Sequence, residues 1–174
     1  MKCRQCEETI RGSGCTRNGI CGKNSDTAEM QDLLIYSLEG LAIATKKAKD
    51  DGKCVEKQID HISEGLFATL TNVNFDTSYF TRMIDRSEWL IGDLDGWFKR
   101  SKYGIDCADN NYFEKNEKAK TVGIETLSHN EDLRSLKELL LYGLKGLGAY
   151  YYHANALGYR SRDVENFMVS GLIA

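Results

Sequence analysis

Proline is absent from all 174 residues, although average usage would place roughly eight or nine in a chain of this length. Segments alternating apolar and polar residues with β-branched side chains are scarce, so strand signals are thin. No apolar run approaches the roughly 18 residues of a membrane-spanning helix, and no secretory leader stands at the first residues. Positive charge is not in excess either: the formal net charge is −3 and the pI near 5.7, which removes the electrostatic footprint of a nucleic-acid binder. A phosphate loop, a nucleophile beside a base and a pair of carboxylates at a credible spacing are all missing, so no residue is singled out as catalytic. These absences predict a soluble, cytoplasmic, all-α protein with neither membrane nor nucleic acid as partner. At 19.6 kDa it has enough chain to bury a core, in one domain or two small ones.

What the chain does have is cysteine in one place. Four of its six cysteines fall in the first 21 residues, as Cys3-x-x-Cys6, Cys15 and Cys21. Four soft thiolates separated by two, eight and five residues can close around one metal centre. Gly12, Gly14, Gly19 and Gly22 lie among and after them, and glycine tolerates the positive φ of a chain wrapping something small. In a reducing compartment such a cluster of cysteines is read as metal-binding rather than disulfide-forming. Spacing alone leaves two centres open. Structural zinc favours paired Cys-x-x-Cys knuckles, of which only one is present, while iron–sulfur clusters accept more varied spacings.

Four segments follow from composition and periodicity. Residues 1–24 read as a cysteine-rich cluster loop, 25–104 as a first helical bundle, 105–129 as a polar connection and 130–174 as a second bundle. The first helix should begin near Ser25 or Asp26, where Asp26 and Glu29 have capping-box spacing, and fade near Gly52. Leu33, Leu34, Leu38, Leu41 and Ala42 mark its buried face. Helices are expected from about 55 to 70 and from about 78 to 102. In the second bundle Asn130 caps a helix from Glu131 to about Ala156 that ends at Gly158, and a last helix starts near Ser161.

An internal repeat organises these helices. Residues 32–42 (DLLIYSLEGLA) align without gaps with residues 138–148 (ELLLYGLKGLG), and residues 64–68 (EGLFA) with residues 170–174 (SGLIA). The same offset of 106 residues pairs Gly52 with Gly158. Two related three-helix bundles are expected, the second incomplete because its third helix has no counterpart in the sequence. The apolar face of Tyr142, Leu144, Leu147, Val164, Phe167, Met168 and Leu172 should then be partly uncovered. Either another chain covers it, or the sequence is a fragment of a longer protein; the fragment is the preferred reading.

The segments MKCRQCEET (1–9), GCT (14–16), GICGK (19–23), QDLLIY (31–36), NEDLRSLKELLLYGLKG (130–146) and YHA (152–154) resemble the hybrid cluster proteins, also called prismane proteins or hydroxylamine reductases. The resemblance touches the whole chain at separate places, and its cysteine motif is specific. It implies a helical N-terminal domain of two three-helix bundles, with Cys3, Cys6, Cys15 and Cys21 as ligands of a 4Fe-4S cluster. It also implies electron transfer from a soluble donor to a hybrid cluster whose ligands lie in later domains, not in this chain. The chain alone should therefore carry electrons and not reduce hydroxylamine. A zinc-stapled helical interaction module and an iron–sulfur redox sensor remain as alternatives.

Other residues attract blander readings. Lys2, Arg4, Arg11, Arg17 and Lys23 surround the ligands against only Glu7 and Glu8, which would neutralise an anionic centre or steer an acidic redox partner. Cys54 and Cys107 read as plain thiols. His61, His129 and His153 read as surface or packed imidazoles, and Trp89 and Trp97 as core or boundary residues. In the run 150–153 (YYYH) some rings should face the core and others the uncovered surface.

Overall fold

The structure is a computed structural model and describes residues 3–6, 13–94, 112–123 and 130–174. Six helices form: α1 (Ser25–Asp50), α2 (Glu56–Ala68), α3 (Thr77–Leu94), α4 (Tyr112–Ala119), α5 (Glu131–Ala156) and α6 (Arg162–Ile173). Among the described residues there is no strand, only an isolated antiparallel bridge between Cys3 and Cys15. The protein is all-α. No helix among the described residues is long and apolar enough to cross a membrane.

Helix starts follow side-chain chemistry. Asn24, in extended conformation, accepts the Thr27 N–H and caps α1 at 2.8 Å. The cap is thus two residues earlier than the Asp26 spacing indicated. Asp26 instead sits in the first turn, where its charge suits the helix dipole. Asn130 does the same for α5 by accepting the Leu133 N–H at 3.1 Å. Both helices have 26 residues and stop before a glycine of positive φ, Gly52 at 77° and Gly158 at 85°.

The two halves of the chain therefore place elements at one offset. α5 begins 106 residues after α1, and α6 begins 106 residues after α2. One packing detail recurs with them. A Cβ on Gly65 would stand 2.7 Å from Leu38 Cδ1, and one on Gly171 would stand 2.8 Å from Leu144 Cδ2. In each half a glycine on the second helix lets a leucine of the first lie against its backbone.

The main core runs through Leu34, Leu38, Leu41, Ile62, Leu66, Phe80, Ile84 and Leu90, and continues into Leu144 and Met168 of the second half. α3 covers α1, while α5 crosses α2. The 105–129 region is not simply a connection. α4 packs along α1, burying Ala119, with Lys115 ion-paired to Asp85 and Lys118 over the Tyr36 ring. Its polar composition hid it from a reading of apolar periodicity. Trp89 is a second departure: it is 61% exposed, on the side of α3 turned away from α1. Trp97, Cys107, His129 and the C-terminal part of the helix expected to reach 102 lie outside the described residues.

Candidate metal centre

The cysteine loop is built on a two-way backbone exchange. Cys3 N–H donates to Cys15 O at 3.0 Å, and Cys15 N–H donates to Cys3 O at 2.9 Å. This brings two of the four expected ligands together, and both are buried with Ala28 in a small cluster of their own. Two glycines make the loop possible. Gly14 has φ +81°, and a Cβ there would stand 2.8 Å from Cys3 O; a Cβ on Gly19 would stand 2.9 Å from Cys21 Sγ. Cys6 and Cys21 are partly exposed, and none of the four is in a disulfide. Among the described residues no three or more His, Cys, Asp or Glu side chains already form a compact metal cage.

Beneath the loop lies a buried polar network that composition and periodicity did not reveal. Gln5, between the first two cysteines, donates to Ala28 O at 2.7 Å and to Asp32 Oδ1 at 2.6 Å. Its own carbonyl oxygen accepts from Lys23 Nζ at 2.6 Å, and Lys23 also bonds Gln31. Gln31 in turn donates to Asn74 O at 3.1 Å. Lys23, one of the cations expected to neutralise an anionic centre or steer a partner, is almost wholly buried. Of the other charges expected around the ligands, Arg4 turns to α5 and Arg17 is exposed. Lys2, Glu7, Glu8, Arg11 and Gly12 lie outside the described residues.

α5 grips the Cys3–Cys6 knuckle with one face. Tyr142 OH donates to Arg4 O at 2.7 Å, and Lys145 Nζ donates to Gln5 O at 3.3 Å and to Thr69 O at 3.2 Å. Glu138 forms an ion pair with Arg4 at 2.8 Å and faces Arg134 at 3.8 Å. Positions 138, 142 and 145 share a face because they are spaced by four and three residues. The repeat carried the one available signal. Lys145 stands where the first copy has Glu39, a charge reversal within an otherwise matching apolar helix.

Burial shapes the ionisation of this region. It pushes the Cys3 thiol up; the Lys23 ammonium, the Gln5 backbone N–H and the Lys145 ammonium oppose that, and the Asp32 charge adds to it. Asp32 is likewise held above the usual carboxylate range by burial, against the pull of Gln5, Lys145 and Lys23. Lys145 is held below its usual value by burial and by Lys23, with Asp32, Cys3 and Cys6 acting the other way. The Tyr142 phenol is raised to about 12 by burial, Glu138 and Cys6. The donor set fits a thiophilic, net-negative group: four thiols, glycines that give the chain room, and two buried ammonium groups behind it.

The remaining candidates resolve simply. Cys54 is an exposed free thiol. His61 is fully buried among α2 and α3, while His153 is exposed beside Phe67 and Tyr152. Tyr151 is buried and bonds Glu165, whereas Tyr150 faces outward.

The chain matches the prismane/CO dehydrogenase family over residues 1–174. It is 42% identical over 187 residues to a hydroxylamine reductase of Methanococcus vannielii, covering 99% of this chain and 33% of that protein. It is 41% identical over 187 residues to a hydroxylamine reductase of Desulfitobacterium hafniense, covering 100% and 33%. A hydroxylamine reductase of Bacteroides thetaiotaomicron is 42% identical over 173 residues, covering 99% and 32%. The chain thus spans about a third of the length of these relatives, matching their N-terminal part. With the family matched from end to end, this chain belongs to the prismane/CO dehydrogenase family.

Proposed function

We propose that this chain is the iron–sulfur electron-transfer domain of a hydroxylamine reductase, with Cys3, Cys6, Cys15 and Cys21 holding a 4Fe-4S cluster. Such a cluster, when bound, accepts and returns single electrons. The observation that carries the reading is the Cys3–Cys15 bridge seated above two buried ammonium groups. The outer side of the loop, with Thr16, Arg17, Asn18 and Ile20 exposed, offers a soluble donor an approach. Arg17 gives that side a cation for an acidic partner. The destination of the electron, the hybrid cluster where hydroxylamine is reduced, lies in further domains. Those domains, or a partner chain, also cover the open face of α5 and α6. Cysteines clustered at metal-ligand spacing, rather than as disulfide partners, fit a reducing, cytoplasmic setting.

The test is anaerobic reconstitution of the chain with iron and sulfide. It should yield bound iron, acid-labile sulfide and a visible absorption that bleaches on reduction. Serine at Cys3, Cys6, Cys15 or Cys21 should each deplete iron and sulfide, while Cys54→Ser should not. Stoichiometric zinc without labile sulfide in the isolated protein would overturn the reading.

A further inference from the structure

We propose that Lys145 is a positioning residue for the cysteine centre: it supplies from α5 a fixed, buried counter-charge that secures the loaded group and raises its reduction potential. This rests on the thiolate centre proposed above and goes beyond its ligands to a residue 124 positions after the last of them.

The first argument is charge. Lys145 and Lys23 are 1% and 2% exposed. A buried ammonium is costly unless opposite charge or several acceptors surround it. Among the described residues the carboxylate bonded into this network is Asp32, reached through Gln5. Glu138 beside it is already shared between Arg4 and Arg134. Two ammonium groups against one carboxylate leave a positive excess, and Cys3 and Cys6 are the groups whose thiolates would balance it. Both act on Lys145 in the direction that favours its charge.

The second argument is placement. Lys145 Nζ spends its described hydrogen bonds on two backbone carbonyls, Gln5 O inside the knuckle and Thr69 O after α2. It is thereby tied to the ligand segment and to a rigid helix end at once. The register of the repeat adds a third argument. Glu39, at the matching position of α1, lies in a different setting, near Lys137 and a cavity of about 210 Å³ beside Leu144 and Leu172. The charge at this register is therefore not a common packing requirement of the two helices. Fixed positive charge near a thiolate-held group stabilises its reduced, more negative state, which raises the potential.

The experiment uses the reconstituted full chain as wild type, Lys145→Met, Lys145→Gln, Lys145→Arg and Tyr142→Phe. Gln retains a donor for the two carbonyls but no charge, and Phe removes a bond to the knuckle without altering charge. Midpoint potential by optical redox titration and the rate of metal loss to a chelator are read for each. K145M and K145Q should shift the potential to more negative values and release metal several-fold faster; K145R and Y142F should stay close to wild type in potential. If K145M does not fold by circular dichroism, K145Q carries the comparison. Unchanged potential and release in K145Q would overturn the proposal while leaving the iron–sulfur reading intact. If the wild type holds a metal without labile sulfide, the iron–sulfur reading falls. Chelator release then decides: faster loss in K145Q sustains the role of Lys145, and equal loss ends it. A wild type that binds no metal through its cysteines overturns both.

Discussion

At the scale of single residues, His61 shows how burial sets chemistry without creating a site. Its Nε2 lies 3.1 Å from Met83 O and 2.8 Å from Ser87 Oγ. A carbonyl only accepts, so Nε2 carries the proton, and Nδ1 has no hydrogen-bond partner among the described residues. Burial, then the Arg86 charge, lowers its pKa from 6.5 to about 4, against the Met83 hydrogen bond. Below pH 6.5 the unfolded chain takes up this proton and the folded chain does not. The contribution to stability is therefore complete at neutral pH and lost as pH falls through the window from 6.5 to about 4. Between pH 7 and 4 the wild type should lose up to about 3 kcal/mol more than His61→Gln in urea unfolding. Parallel losses in the two proteins would show that His61 charges freely in the fold. The imidazole was expected to be packed or on the surface, and only its neighbours on α3 decided which.

At the scale of elements, the legible part was the helix plan. Asn130, Gly158 and Ser161 marked ends that α5 and α6 observe, because caps and αL positions depend on one or two residues. The close helix crossing was not legible. A Cβ on Gly148 would stand 2.7 Å from Leu66 Cβ and 3.3 Å from Ser63 O, so α5 rests there directly on α2. Gly146, two residues earlier, has open space at its Cβ position. The same substitution should then act with opposite sign. Gly148→Ala should cost about 1–3 kcal/mol by forcing the helices apart, and Gly146→Ala should gain about 0.5–1 kcal/mol from helix propensity. Urea midpoints of the two variants check this, and equal signs would mean that the crossing is slack.

At the scale of the whole molecule, the two halves differ in what covers them. Met30 and Leu33 of α1 are 0% and 4% exposed, whereas the matching Leu136 and Leu139 of α5 are 64% and 66% exposed. His61 meets α3, while its counterpart Phe167 is 56% exposed. An apolar surface of this kind favours association. Replacing Leu136 and Leu139 together by Gln should leave the urea midpoint of the 174-residue chain within about 0.5 kcal/mol of wild type. It should also abolish concentration-dependent self-association in sedimentation velocity. A wild-type chain that stays monomeric at all concentrations would contradict the expectation.

Helix class, the ends of α5, the 106-residue offset and the clustering of four cysteines were determined by the sequence itself. Each rests on local chemistry or on spacing along the chain. Tertiary structure alone decided that Lys23 turns inward to Gln5 and that α4 lies on α1. It also decided that Tyr142 and Lys145 hold a knuckle at the far end of the chain. Such contacts join residues up to 140 positions apart. A lysine within an apolar helical repeat carries no local mark of the partner it will meet, and only the packing of α5 against the loop supplies one.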